Sequence, residues 1–268
     1  GAPAILAHPA NLFQDKRPAA LAVLNGFGKF AGATQLAELG QLETPILLTN
    51  TLAVGRAVEA INRHVLDQPG NERVTSLNAV VGETNDSRLN DIRAARPTVA
   101  ELRAAIDAAR GGPVAEGAVG AGTGTVAFGL KGGIGTASRL VGGHVLGVLV
   151  QANFGGHLRV DGVPVQNLAA HDADGSIVIV LATDAALDAA GLRRLAPRAF
   201  GGLARTGAAL SHGSGDYALA FSTQARPETQ APAQLSALFE AAIEASEEAI
   251  LNALTMAEDM AGYDAGTG

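Results

Sequence analysis

Apolar and polar residues alternate along the first half of the chain with periods that predict strands and helices in turn. Short apolar runs predict strands over residues 18–28, over residues 44–50 and within "TSLNAVVGETND". Apolar residues at helical spacing predict helices in "AGATQLAELGQL", "VGRAVEAINRHVLDQ" and "TVAELRAAIDAARGG". The last of these starts with Thr98 and Glu101, which are spaced as a capping box.

The second half begins with glycine-punctuated strands over residues 118–165, which include a predicted hairpin. A buried strand over 177–182, a helix over 186–209 interrupted near Pro197, and a strand over 216–223 follow. The final helix is amphipathic, with one apolar side formed by Leu235, Leu238, Ala242, Ala245, Ala249 and Leu254. Helices therefore flank a block of antiparallel strands, which predicts an α+β fold with two stacked sheets covered by helices on both faces. Without a repeat or a linker, residues 1–268 are expected to form one domain.

Composition excludes several classes of function. No apolar run approaches the roughly 18–20 residues of a membrane span, and a net charge of −7 without a Lys/Arg cluster argues against nucleic acid as a partner. The absence of cysteine excludes disulfides and thiolate chemistry. The opening "GAPAILAHPANLFQDK" lacks the pattern of a signal peptide, and the sequence indicates no compartment.

Three common kinds of site are poorly supported. No metal site is expected, because no i,i+4 pair and no His-Glu-x-x-His motif occurs among His8, His64, His144, His157, His171 and His212. "KGGIGTASR" resembles a phosphate loop, but it lacks the Gly-Lys-Ser/Thr ending and precedes a strand pattern, so a glycine-rich turn between strands is predicted there. No Gly-x-Ser-x-Gly elbow of a triad hydrolase is present.

Ser176 leaves two interpretations open. It follows Gly175 at the point where a polar loop turns into an apolar run, so it can simply begin a buried strand. It can also become the first residue of a new chain, because a free α-amine with a pKa of about 7.7–8.0 is suited to accept the proton of its own hydroxyl. Gly175 fits the second interpretation, since glycine tolerates the strained geometry of self-cleavage.

Seven segments together resemble the DmpA-type aminopeptidases, a family of L-aminopeptidase/D-Ala-esterases, β-aminopeptidases and relatives that cleave pantetheine or nylon-oligomer amides. They are "HPANLFQDKRPAALAVLNGFGKFAG", "LGQLETPILLTNTL", "VVGETNDSRLNDIR", "GAGTGTVAFGLKGGIGTASR", "GVLVQANFGG", "DGSIVIVLATDAAL" and "SGDYALAFST". They follow the family order over essentially the whole chain. The resemblance implies a self-cleaving hydrolase of the N-terminal-nucleophile type with an αββα four-layer sandwich.

The resemblance also implies roles for individual residues. Cleavage between Gly175 and Ser176 would give an α subunit of residues 1–175 and a β subunit of residues 176–268. Ser176 would be the nucleophile and its new amine the general acid/base, while Asn153 would supply the oxyanion-hole amide. Ser214 and Asp216 in "SGD" match the pair that orients this amine, although some relatives carry Glu in place of the Asp.

Substrate recognition is implied in the same way. Glu83 corresponds to the carboxylate that pairs with the substrate ammonium group, and Asn85 stands where some members carry an aromatic residue, which leaves side-chain preference open. The expected substrates are peptides, amides or esters with small, D- or β-type N-terminal residues. No metal or organic cofactor is expected. The family pattern implies a homo-oligomer, a tetramer of αβ units or larger.

Two departures from the family pattern and two rival functions accompany this resemblance. Family members carry several tens of residues before the position of "AILAHP", and the segment "QNLAAHDADG" before Ser176 is short. An acyltransferase of the ornithine-acetyltransferase kind would use threonine at the cleavage point, so the serine argues against it. An unprocessed member that binds without catalysis is the second rival.

Overall fold

The computed structural model describes residues 1–166, 168, 175–228 and 230–263. The strands are β1 Ala4–Ile5, β2 Arg17–Gly26, β3 Gln41–Leu42, β4 Ile46–Asn50, β5 Val80–Thr84, β6 Val126–Ala127, β7 Leu130–Lys131, β8 Gly133–Val141, β9 His144–Asn153, β10 Arg159–Val160, β11 Val163–Pro164, β12 Ser176–Thr183 and β13 Gly215–Ser222. The helices are α1 Ala33–Leu39, α2 Val54–Leu66, α3 Val99–Asp107, α4 Ala189–Leu195, α5 Ala199–Arg205 and α6 Pro232–Thr255. These elements follow the predicted order. The capping box of Thr98 and Glu101 starts α3, and a 3₁₀ turn that contains Pro197 separates α4 from α5.

The central sheet has six strands in the order β3-β2-β13-β12-β9-β8. The predicted hairpin is β8–β9. The prediction of an antiparallel block is wrong for β12 and β13, which pair in parallel. The reason lies in the connection between them, because α4 and α5 carry the chain back across the sheet and a crossover of this kind returns the next strand in the same direction.

A second sheet, β1-β4-β5, lies over the first. Strands β4 and β5 are parallel and are connected through α2. Two further pairs of strands, β6–β7 and β10–β11, form two-stranded antiparallel ribbons.

Three apolar clusters define four layers. Ile61 of α2 and Leu102 of α3 pack with Leu47 on the outer face of the three-stranded sheet. Leu48 and Val80 on its inner face pack against residues of the central sheet that include Val178 and Phe221. The third cluster joins the other face of the central sheet to α4, α5 and α6. Each fully buried Leu, Ile, Val or Phe contributes about 1.5–3 kcal/mol to folding, and the resulting arrangement is the predicted αββα sandwich.

The glycines of "KGGIGTASR" lie mainly in a strand, so the prediction of a turn is wrong for most of this segment. Gly133 and Gly135 belong to β8, which runs directly beneath α6. A Cβ atom at Gly135 would lie 1.9 Å from the carbonyl oxygen of Ala249 in that helix. The glycines are therefore needed because helix and sheet backbones approach each other closely.

Candidate active site

Ser176 lies where three strands of the central sheet meet. It is the first residue of β12, directly opposite Asn153, the last residue of β9, and opposite Gly215, the first residue of β13. Its side chain is largely buried, and the backbone N–H of Gly215 donates to Ser176 Oγ at 3.1 Å. The same N–H lies 3.2 Å from the carbonyl oxygen of Gly175. Strand register alone thus places the nucleophile candidate beside the oxyanion candidate.

Gly175 occupies a position beside β9 that leaves no room for a side chain. A Cβ atom at this position would lie 2.4 Å from the carbonyl oxygen of Asn153 and 2.5 Å from Cα of Phe154. The residue before Ser176 must be glycine because β9 passes too close for a side chain.

Hydrogen bonds on both sides fix the carboxamide of Asn153. Its Oδ1 accepts from the backbone N–H of Val126 at 3.0 Å, and its Nδ2 donates to the carbonyl oxygen of Asn85 at 2.9 Å. Only one orientation of the amide satisfies both partners. The Nδ2 atom has a second N–H, so this residue can still donate to a developing oxyanion.

Ser214 and Asp216 form a buried pair next to Ser176. Ser214 Oγ donates to Asp216 Oδ1 at 2.5 Å, and Asp216 is 1% exposed. Burial raises the pKa of Asp216, and the hydrogen bond from Ser214 opposes this effect. Within the described part of the chain, Asp216 Oδ2 has no hydrogen-bond partner. A cation or a donor at the start of β12 would satisfy this oxygen.

Glu83 comes from the three-stranded sheet, where it is the second-to-last residue of β5. It is 1% exposed, and its Oε1 accepts from the backbone N–H of Lys29 at 2.8 Å. Thr51 Oγ1 donates to the other carboxylate oxygen. Tyr217 lies nearby, where burial and the charge of Glu83 raise its phenol pKa and its hydroxyl accepts from Gly28 N at 3.0 Å.

Sequence reasoning missed Thr51, Lys29 and Tyr217 as neighbours of Glu83. One signal was available for Thr51, which directly follows β4, since Glu83 is the second-to-last residue of β5. Parallel strands end at the same edge of a sheet, so recognising β4 and β5 as parallel would have placed the two side chains together.

One cavity of about 270 Å³ collects most of the predicted residues. Its lining includes Glu83, Asn85, Asn153, Gly175 and Ser176. The additional lining residues are Phe27, Lys29, Thr51, Ser87, Arg88, Val126 and Gly213. Ser214 and Asp216 do not line this cavity, but they directly follow the lining residue Gly213 and flank Gly215 along the chain. A larger cavity of about 480 Å³ beside α3 contains none of the predicted site residues.

The cavity combines the groups needed for acyl transfer from a substrate with a positive end. The hydroxyl of Ser176 can attack an acyl carbon, the fixed amide of Asn153 can donate to an oxyanion, and the buried carboxylate of Glu83 can bind a cation. Among the described residues, no group of three or more His, Cys, Asp or Glu could hold a metal ion. The same part of the chain has no helix with the length and apolarity of a membrane span. His171 and most of "QNLAAHDADG" lie outside the described residues.

Comparisons with known proteins identify a family of peptidases. The sequence model of Peptidase family S58 matches residues 1–267. The chain is 39% identical over 279 residues to the beta-peptidyl aminopeptidase BapA of Sphingosinicella microcystinivorans, covering 90% of this chain and 69% of that protein.

Two solved structures are similar over nearly the whole chain. A Burkholderia sp. beta-aminopeptidase superimposes with a TM-score of 0.90 at 40% identity, covering 98% of this chain and 81% of that one. The L-aminopeptidase D-Ala-esterase/amidase of Ochrobactrum anthropi, described as a prototype for the serine aminopeptidases and a variant of the Ntn hydrolase fold, superimposes with a TM-score of 0.81 at 36% identity, covering 92% and 75%.

Proposed function

We propose, from the premise that the chain belongs to Peptidase family S58, that it cuts its own backbone between Gly175 and Ser176 and then releases N-terminal residues through an acyl-enzyme on Ser176. Family and relatives make the chain a peptide hydrolase, an aminopeptidase of the N-terminal-nucleophile type. The residue roles, the cleavage point and the substrate preference form the proposal.

Self-cleavage starts with attack of Ser176 Oγ on the carbonyl carbon of Gly175. A C–O bond forms, the C–N bond breaks, and the hydroxyl proton passes to the departing nitrogen. Water then hydrolyses the ester, which leaves residue 175 with a carboxylate and Ser176 with a free amine. The N–H of Gly215, which contacts both Gly175 O and Ser176 Oγ, supports this step because it holds the reacting groups together.

In the mature enzyme, the free amine takes the proton of its own hydroxyl as Oγ attacks the substrate carbonyl. Asn153 Nδ2 stabilises the resulting oxyanion. The Ser214–Asp216 pair orients the amine of Ser176. The carboxylate of Asp216 favours the charged form of this amine while the amine holds the proton. The proton then passes to the leaving amine, and water releases the acyl group in the reverse sequence of proton transfers.

Glu83 binds the ammonium group of the substrate. Its backbone and hydroxyl donors fix the carboxylate before substrate arrives, so little ordering is needed on binding. A cavity of about 270 Å³ suits a small residue. With the β-peptidyl and D-Ala activities named for the relatives, this supports small β- or D-type residues as the ones released from peptides, amides or esters, with Asn85 at the side-chain position.

The observation that carries the proposal is the register that places Ser176 between Asn153 and Gly215. N-terminal sequencing after incubation tests it, and the expected new terminus is Ser-Ile-Val-Ile. A panel of β-alanyl, D-alanyl and L-alanyl p-nitroanilides and amides then measures preference. A chain that stays intact and inactive on every substrate contradicts the proposal and favours a non-catalytic binding protein.

Residues 1–175 and 176–268 then form the α and β subunits of one unit, and these units assemble into a homo-oligomer, a tetramer or larger. Apolar side chains at the tip of the β8–β9 hairpin support an assembly surface, since Leu140 is 78% exposed and Val145 is 45% exposed. Light scattering of the processed protein measures the number of units.

A further inference from the structure

Lys131 lies at the β6–β7 ribbon, behind the cavity wall, and the mechanism above does not use it. Its ammonium group is partly buried and donates to three backbone carbonyls, those of Gly122 at 2.6 Å, Thr125 at 2.9 Å and Gly132 at 2.7 Å. An ammonium group has three N–H donors, so these bonds use them all. A partly buried ammonium group whose hydrogen bonds all go to neutral carbonyls is costly to place.

One of these carbonyls belongs to the peptide group that fixes Asn153. The carbonyl of Thr125 and the N–H of Val126 are the two ends of a single peptide, and that N–H donates to Asn153 Oδ1 at 3.0 Å. The backbone N–H of Gly132 also donates to Thr125 O at 2.9 Å, and Val126 pairs with Lys131 across the ribbon. Hydrogen bonds in such a series polarise one another.

We infer that Lys131 is a positioning residue for the oxyanion donor, acting on Asn153 through the Thr125–Val126 peptide. The ammonium group fixes and polarises this peptide, the peptide N–H holds Asn153 Oδ1, and Nδ2 is thereby directed into the cavity with a more positive N–H. Lys131 itself does not line the cavity, so it does not contact substrate. The inference rests on the proposed role of Asn153.

The charge of Lys131 is lost at moderately alkaline pH. Burial lowers the pKa of Lys131 to about 8, and the carboxylate of Asp86 opposes this effect. Asp86 lies in the loop after β5, where burial raises its own pKa, Asn90 donates to it, and the charge of Glu83 adds to the rise. As pH rises through about 8, deprotonation removes one donor and the positive charge, so kcat is expected to fall on the alkaline side. The Ser176 amine must be neutral to act as a base, so it governs the acid side instead.

The first test replaces the ammonium with an apolar chain of similar length, Lys131→Met, and measures kcat and KM per mole of free Ser176 terminus. A fall in kcat of about 10-fold with little change in KM is expected, less than the roughly 10²–10³-fold loss when an oxyanion donor is removed directly. Lys16→Met is the matched control, because Lys16 pairs with Glu43 outside the cavity lining, and its kcat should equal that of the wild type. An unchanged kcat in folded, processed Lys131→Met overturns the inference.

The second test uses Lys131→Arg, which keeps the charge at all accessible pH values, and remains decisive if Lys131→Met fails to fold or to process. Its kcat near neutral pH should be close to that of the wild type, and the alkaline fall of kcat at saturating substrate should move to higher pH. A role in folding alone would not move this limb. A folded, processed Lys131→Arg enzyme with the wild-type alkaline limb overturns the inference, whereas a wild type without self-cleavage or activity contradicts the proposed function instead.

Discussion

The two sheets fix the two halves of the site by different means. In the central sheet, main-chain register sets Ser176 opposite Asn153 and Gly215, and all three positions end or begin buried strands. At the edge of the three-stranded sheet, Glu83 is held by a loop N–H of Lys29 and the hydroxyl of Thr51, groups from separate segments of the chain. The proposed reacting groups are therefore built into a sheet, whereas the proposed substrate-binding carboxylate depends on Lys29 and Thr51, which lie outside the strands. Changes at the first place should act on the rate of chemistry, and changes at the second on binding.

The largest expected effect is at the strand junction. Ser176→Ala should leave one unprocessed chain of 26.9 kDa on a denaturing gel and reduce activity at least about 10³-fold, because both the nucleophile and the cleavage are lost. Ser138→Ala, at an exposed position of β8, is the control and should give two fragments like the wild type. Two fragments from Ser176→Ala would show that another residue starts the cleavage.

Asn153→Ala tests the other side of the same junction. Removing the oxyanion donor should lower kcat by roughly 10²–10³-fold while KM changes little, measured per mole of free Ser176 terminus. If KM rose and kcat stayed unchanged, Asn153 would act in substrate binding. The proposed division between a catalytic sheet and a binding sheet would then be wrong.

Glu83→Gln tests the binding half. Losing a hydrogen bond to a charged group costs about 1.5–3 kcal/mol, so KM should rise about 10- to 100-fold with kcat nearly unchanged. Glu59→Gln on the exposed face of α2 is the control. A substrate whose amine is replaced by hydrogen should lose this discrimination, and wild type and Glu83→Gln should then cleave it equally. A continued difference between them would assign Glu83 a structural role.

The smallest effect concerns the stability of the unprocessed chain. Since burial raises the pKa of Asp216, the folded chain holds this proton more tightly than the unfolded chain, and stability declines as pH rises from the unfolded pKa through the folded one. In a Ser176→Ala background, Asp216→Asn should therefore raise Tm at pH 7 by about 2–4 °C, as expected for roughly 1 kcal/mol in a chain of this size. Below pH 4, the Tm values of Ser176→Ala with and without Asp216→Asn should converge. Equal Tm values at pH 7 would mean that, before cleavage, the folded chain already offsets the cost of burying the charged carboxylate of Asp216.

Local patterns predicted the elements well because their signals are local. Thr98 and Glu101 identified the start of α3, and the apolar run after Ser176 identified β12. The glycines of β8 were assigned to a turn because their cause, the backbone of α6, lies more than a hundred residues away in sequence. The parallel pairing of β12 and β13 was missed because alternation does not report strand direction.

The site residues were predicted through resemblance, and the structure brings together those that line the cavity. Thr51 and Lys131 were missed for a physical reason. Thr51 becomes informative only when β4 and β5 are known to be parallel, and Lys131 acts on backbone carbonyls, which every sequence possesses. Hydrogen bonds to main-chain atoms do not depend on the residue type of the acceptor, so they produce no recognisable sequence pattern.

Strand β12 pairs residue by residue from Ser176 to Thr183, with β9 on one side and β13 on the other. This pairing has a consequence for the matured protein. Strand β9 would belong to one fragment and β12 to the other, so the two pieces share a single sheet and cannot separate without unmaking it. Once denatured, however, they are independent polymers that must collide before the sheet can re-form. Recovery of the processed enzyme from denaturant should then be second order in protein concentration, whereas the uncut precursor recovers in a first-order reaction.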